Sequence, residues 1–161
     1  MRVYTDASSR GSISGIAFVA TNSRDKEVYK KGMVIEKGDN NTAELTAILY
    51  ALDFVRDKTD HKVVIFTDSS YAINAIRNGN FRETVRTLVE SIQQSMAELG
   101  STLFWIKGHC HDGTVLSYFN KRADKMSKVV RKQYEKDKRV EKKVSMKQTG
   151  RYTYTSVGPE I

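Results

Sequence analysis

The hydrophobic period of this chain changes near residue 39, and that change limits the folds open to it. Before it, residues 2–6, 13–20 and 27–36 are rich in Val, Ile and Tyr and predict three strands. The segments between them, Ser9-Arg10-Gly11-Ser12 and Asn22-Ser23-Arg24-Asp25, have turn chemistry. Three strands so closely linked should form an antiparallel meander. After the change, Asp39, Asn40, Asn41 and Thr42 offer helix caps. Leu45, Ile48, Leu49, Leu52 and Val55 then step along one face of a helix predicted over 41–57. Glu44 follows Asn41 by three, the spacing of a capping box.

Residues 62–67 predict a fourth strand, whose unbroken apolar run suits burial on both faces. Helices are expected over 70–78, capped by Asp68 or Ser69 and ended at Asn78-Gly79, and over 82–98, stopped at Gly100. A fifth strand over 102–106, a loop over 107–116 and a last helix from about Ser117 complete the order. A meander followed by helical crossovers implies an α/β fold. Its five-stranded sheet is mixed, with strands 1, 4 and 5 parallel and helices on both faces.

Within that frame one short sentence is written twice. Tyr4-Thr5-Asp6-Ala7-Ser8 recurs as Phe66-Thr67-Asp68-Ser69-Ser70, each time at the end of a β-rich run. In open α/β sheets, sites form beyond the carboxyl ends of parallel strands. Two such strands ending in Asp would bring two carboxylates to one sheet edge, an arrangement that repels itself unless a cation is present. The alternative is that Asp6 and Asp68 are separate turn or cap residues. Glu44, in the first turn of the intervening helix, could face both aspartates or could simply be a helix-cap acid. Asp124, in Asn120-Lys121-Arg122-Ala123-Asp124, is either a fourth acid of this group or a surface ion-pair partner.

Charge and cysteine content set the remaining bounds. The net charge of +8 is uneven: residues 125–148 hold ten Lys and Arg against three Asp and Glu, whereas 1–124 hold sixteen against fifteen. That basic segment suits an anionic partner, nucleic acid first, or serves only as a solvated helix. A single cysteine, Cys110, excludes an internal disulfide and a four-cysteine zinc site and fits a reducing compartment. His61, His109 and His111 lack zinc-helix spacing. No apolar run reaches the ~20 residues of a membrane span, and no leader-like segment is seen before the first strand. A cytoplasmic monomer without membrane contact is the expectation.

Taken in order, Tyr-Thr-Asp-x-Ser, Asn-Asn-x-x-Glu-Leu, Thr-Asp-Ser-x-Tyr, Lys-Gly-His and Asn-x-x-x-Asp closely resemble the motifs of type 1 ribonuclease H over roughly residues 1–128. The resemblance implies that Asp6, Glu44, Asp68 and Asp124 are metal-binding carboxylates for two Mg²⁺ ions, with Mn²⁺ a possible substitute and Asp6 bridging both. It further implies cleavage of the RNA strand of RNA–DNA hybrids, leaving 5′-phosphate and 3′-hydroxyl ends. His109 matches the family's loop histidine, implicated in proton movement or product release. Asn40 and Asn41 match residues that touch the hybrid's minor groove, and Ser69, Ser8 and the backbone of 7–10 are further substrate-binding candidates.

The chain also departs from that family. Ten residues separate His109 from Asn120, a longer loop than relatives use, so His111 rivals His109. Asp39 stands where relatives often carry a Thr near a DNA phosphate, which puts the grip on the DNA strand in question. Only Gly79-Asn80-Phe81 joins the second and third helices, leaving no room for the basic, aromatic protrusion of some members. The basic extension over 129–161, beyond a catalytic domain over 1–128, is expected to supply that phosphate contact instead. A non-catalytic binder of hybrid or double-stranded RNA, and a nuclease of the same fold with another substrate such as a resolvase, integrase or exonuclease relative, are the alternatives.

Overall fold

The computed structural model describes residues 1–36, 38–59 and 61–148. The elements are β1 (Arg2–Arg10), β2 (Ile13–Thr21), β3 (Glu27–Glu36), α1 (Asn40–Val55), β4 (Val64–Thr67), α2 (Ser70–Asn78), a 3₁₀ turn at Glu83–Val85, α3 (Arg86–Leu99), β5 (Thr102–Trp105) and α4 (Val115–Gln148). The sheet order is β3-β2-β1-β4-β5. β1, β2 and β3 pair antiparallel, while β4 lies parallel to both β1 and β5. This is the mixed five-stranded sheet that the sequence predicts. Residues 150–158 alternate weakly in sequence, as a short strand or a disordered end would, and lie outside the described residues.

Alternation along the central strands covers both faces of the sheet. Val3, Phe18 and Ile65 join a core with Leu45, Ile48 and Leu52 of α1, Ala72 and Ile76 of α2, and Val89 and Ile92 of α3. Their neighbours Tyr4, Val19 and Phe66 turn the other way, onto Phe119 and Ala123 of α4. Leu45, Ile48, Leu52 and Val55 are fully buried, each stabilising by roughly 1.5–3 kcal/mol. Strand β4 is thus apolar on both sides because both sides are covered. On the α4 side the fit is close enough to need glycine: a Cβ on Gly15 would lie 1.9 Å from the Ser127 carbonyl oxygen.

Two local expectations are corrected. Strand β1 continues to Arg10, and the hairpin turn is only Gly11-Ser12. Gly11 takes φ +61° there, and the Ser9 and Ser14 hydroxyls meet across the pair at 2.6 Å. Polar side chains and a glycine resemble a loop when read alone, but β2 supplies partners as far as Arg10↔Ile13. Asp6 therefore sits within a strand, opposite Ala17, and does not end one. The capping box at Asn41 and Glu44 does not form. Asp39 is the N-cap, accepting from the Thr42 N–H at 2.8 Å, and Glu44 turns inward with 4% exposure. In addition, α4 begins at Val115, before the expected Ser117. The Thr114 hydroxyl accepts from the Ser117 N–H at 3.2 Å.

The chain divides into two compact units, Met1–Arg131 and Lys132–Ile161. In the second, the described residues are helical as far as Gln148. Among the described residues no helix is long and apolar enough to cross a membrane.

Candidate active site

β1 outlasts its parallel neighbour, and that difference creates the site. The β1–β4 pairing runs Arg2↔Val64, Val3↔Ile65, Tyr4↔Phe66. β4 ends at Thr67 whereas β1 continues along β2 to Arg10. A notch opens beside β1 just past the paired residues. Asp6 and Asp68 each lie two residues beyond the Tyr4–Phe66 pair, so the duplicated motif places its two carboxylates side by side.

Glu44 enters the notch from the first turns of α1, and its carboxylate accepts from the Ala7 N–H. One ligand-type oxygen from each of Asp6, Glu44 and Asp68 lies within 4.8 Å of the others. Asp124 arrives on α4 close enough to hydrogen-bond the Asp6 carboxyl. Its Oδ2 is held by Lys128 Nζ at 2.8 Å. The four acids, separated by as much as the length of the unit, meet in one place.

The electrostatics are those of a site awaiting positive charge. Burial, reinforced by Glu44, Asp68 and Asp124, pushes the Asp6 carboxyl up to about 10. Burial and the Asp68 charge push Glu44 up to about 8. Asp68 is raised by burial too, opposed by a hydrogen bond from Asn120 and by the charge of His109. Glu44 Oε2 is buried with no hydrogen-bond partner among the described residues. An all-oxygen donor set with an orphaned carboxylate oxygen fits a hard divalent cation such as Mg²⁺.

The other predicted residues fall around this centre. His109 is exposed, in a loop at φ +52°, and its charge acts on Asp68. His111 instead has its Nδ1 against Lys121 Nζ. Asn40 and Asn41 open α1, the first exposed and the second half-buried, and neither is the cap. Ser69 caps α2, accepting from the Ala72 N–H at 3.1 Å. Ser8 accepts from Arg131 Nε at 3.0 Å. Asp39, the acid at the supposed phosphate position, is paired with Arg82 at 3.3 Å.

Three residues around Asp68 were not among the site residues read from sequence. Asn120 Nδ2 donates to Asp68 Oδ2 at 3.4 Å. Trp105 Nε1 donates to the Asp68 carbonyl at 3.2 Å. Gly108 lies so close that a Cβ there would be 2.7 Å from Asp68 Oδ2. Asn120 had a legible signal, a spacing of four before Asp124 that puts both on one helix face. Gly108 had one too, as the centre of the Lys-Gly-His motif, whereas Trp105 had none beyond its place at the end of β5.

Comparison with known proteins agrees with this geometry. A family model described as RNase H matches residues 1–132. A probable ribonuclease H of Acanthamoeba polyphaga mimivirus is 27% identical over 132 residues, covering 71% of this chain. The chain spans 58% of that relative's length. Among solved structures, RNase H1 of the halophilic archaeon Halobacterium salinarum superposes with TM-score 0.69 at 18% identity, covering 80% of this chain and 95% of its own. LC11-RNase H1, solved in complex with an RNA/DNA hybrid, superposes with TM-score 0.70 at 21% identity, covering 83% and 97%.

Proposed function

The chain belongs to the ribonuclease H family, and from that premise we propose that it is a metal-dependent endonuclease that cuts the RNA strand of RNA–DNA hybrids and leaves 5′-phosphate and 3′-hydroxyl ends. One observation carries the reading: the convergence of Asp6, Glu44 and Asp68 within 4.8 Å, with Asp124 against Asp6. A pure binding protein gains nothing from four acids placed where a phosphate must come. The hybrid found with LC11-RNase H1 supports the choice of substrate.

Asp6, Glu44, Asp68 and Asp124 would hold two Mg²⁺, or Mn²⁺ in their place, with Asp6 central to the set. Bound there, two such ions supply an activated water and charge stabilisation for the departing 3′ oxygen. The chain's own contribution is to gather the carboxylates and hold them against an apolar core. His109, exposed and with its charge acting on Asp68, takes up or releases a proton or assists product departure. Asn40 and Asn41, freed from capping by Asp39, present amides that both donate to and accept from a 2′-hydroxyl, the group that marks RNA. Residues from 129 on add non-specific phosphate contact through their basic side chains. A cytoplasmic monomer completes the proposal, supported by the lone Cys110 and the lack of an extended apolar stretch in the sequence.

The test is a cleavage assay with labelled hybrid, duplex DNA and duplex RNA, each with Mg²⁺ and with chelator. Mg²⁺-dependent cutting of RNA in the hybrid alone is the expected result. Cutting of duplex DNA would assign another nuclease activity to the fold, and tight binding without cutting would make the chain a binding module.

A further inference from the structure

Asn120 sits one helical turn before Asp124 on α4 and is 3% exposed. Its amide nitrogen faces Asp68 Oδ2 at 3.4 Å. Its oxygen, Oδ1, is buried and meets no protein donor among the described residues. Reversing the amide would set that oxygen against a carboxylate, so Asp68 fixes its orientation. A buried acceptor left without a donor is destabilising. That cost is retained here in the same site where Glu44 Oε2 is also without a partner among the described residues.

Among the described residues, Asp68 is otherwise held through its backbone, whose own N–H also reaches the carboxylate, and by crowding. The Trp105 indole holds its carbonyl at 3.2 Å, and Gly108 presses on its carboxylate side. The carboxylate's rotation is therefore set by what touches its oxygens, and Asn120 is the side chain that does so by hydrogen bond. A helical Asn is well suited to this place. Aspartate would add another negative charge to the cluster, and an apolar residue would leave Oδ2 without its donor.

We propose that Asn120 is a positioning residue of the cation site: its Nδ2–H sets the Asp68 carboxylate to share a divalent ion with Asp6 and Glu44, while its Oδ1 accepts a hydrogen from a water ordered beside them. The proposal rests on the two-cation reading above. Residues that orient metal ligands typically change metal affinity 10–100-fold when removed.

The experiment titrates Mg²⁺ alone into the full chain, without nucleic acid, by calorimetry and by the emission of Trp105, the chain's single tryptophan. It compares the native protein with Asn120→Ala, Asn120→Ser, Asp68→Asn and the Asn120→Ala/Asp68→Asn double variant. Asn120→Ala is expected to weaken Mg²⁺ binding about 10–100-fold. It should lower kcat on hybrid with KM little changed, and cost little further affinity in the Asp68→Asn background. Native-like Mg²⁺ affinity in folded Asn120→Ala, or an equal loss in both backgrounds, overturns the proposal. Asn120→Ser is read in the same way if the alanine variant does not fold. Failure of the native chain itself to take up Mg²⁺ would overturn the two-cation reading and this inference together. Native uptake with an indifferent Asn120→Ala would overturn this inference alone.

Discussion

Tyr4 of β1 and Phe66 of β4 are partners in parallel register with rings stacked at 5.1 Å, and each is followed two residues later by an aspartate. Register turns a repeated sequence into a pair of facing carboxylates. Asp6 is the more deeply buried of the two and lies against both Glu44 and Asp124. Asp6→Asn should therefore reduce hybrid cleavage by at least ~10³-fold, because the central ligand is lost. Burial keeps this carboxyl protonated in the metal-free fold, so the neutral amide should leave stability in chelator near neutral pH within about 1 kcal/mol of native. Retained cleavage, or a large loss of stability, would contradict the site as described.

The raised carboxyls give the metal-free protein a defined pH dependence. Asp6 and Glu44 ordinarily titrate at 3.8 and 4.5 but are held in the fold at about 10 and about 8. The folded chain therefore keeps protons that the unfolded chain releases above about pH 4. Their contribution to stability is complete below that pH and is lost as pH rises toward the folded values. The slope is about 1.4 kcal/mol per pH unit for each proton so retained. Urea unfolding in chelator should show lower stability at about pH 9 than at about pH 6. Mg²⁺ competes for the same oxygens, so saturating Mg²⁺ should flatten the difference. A chelated protein that gains stability over this range would refute the assignment.

Gly108 offers a steric test of the same carboxylate. A Cβ there would stand 2.7 Å from Asp68 Oδ2, so Gly108→Ala must shift either the loop or the ligand. Mg²⁺ affinity and cleavage should both fall, about 10–100-fold. The thermal midpoint in chelator should stay within a few degrees, because the residue lies in an exposed loop outside both cores. Calorimetric Mg²⁺ binding and thermal unfolding of the variant check both halves.

What was legible beforehand follows from how local each signal is. The strand and helix periods belong to single segments, and all five strands and the helices between them can be read from them. The duplicated Thr-Asp motif pointed to Asp6 and Asp68 because it sits at matching places in two elements. Residues 7–10 belong to β1 only because Ser14 and Ile13 wait across the hairpin, and no local pattern records that partner. Glu44 has the spacing of a cap acid, yet Asp39 takes the cap and Glu44 turns inward. Trp105, at the end of another strand, acts on Asp68 through the fold, so nothing near Asp68 in sequence announces it, and the Lys-Gly-His motif marks Gly108 without saying which acid it presses on.

Helix α4 carries Asp124 and Asn120, and its seating depends on Gly15. A methyl group there would fall 1.9 Å from the Ser127 carbonyl oxygen, a backbone atom that cannot rotate away. Gly15→Ala should cost about 3 kcal/mol or more, at the upper end of overpacking effects. Activity should fall with it, because the helix that moves holds a ligand. An unchanged melting temperature would mean that α4 does not lie on β2 as described.

The basic C-terminal segment can be tested apart from the acids. Lys132, Lys136, Arg139, Lys142 and Lys143 are exposed, and the proposal gives them phosphates to bind. For every phosphate no longer neutralised, the slope of log affinity against log salt should lessen by about 0.7–0.9. Deleting residues 132–161 keeps Arg131, whose Nε donates to Ser8 at 3.0 Å, and so leaves the catalytic unit whole. The shortened chain should bind hybrid more weakly at low salt, with a shallower salt slope, while kcat at saturating hybrid stays within about twofold, since non-specific phosphate binding acts alike on ground and transition states. Hybrid binding measured across a salt series decides the matter. A slope equal to that of the full chain would leave the segment without a role in holding substrate.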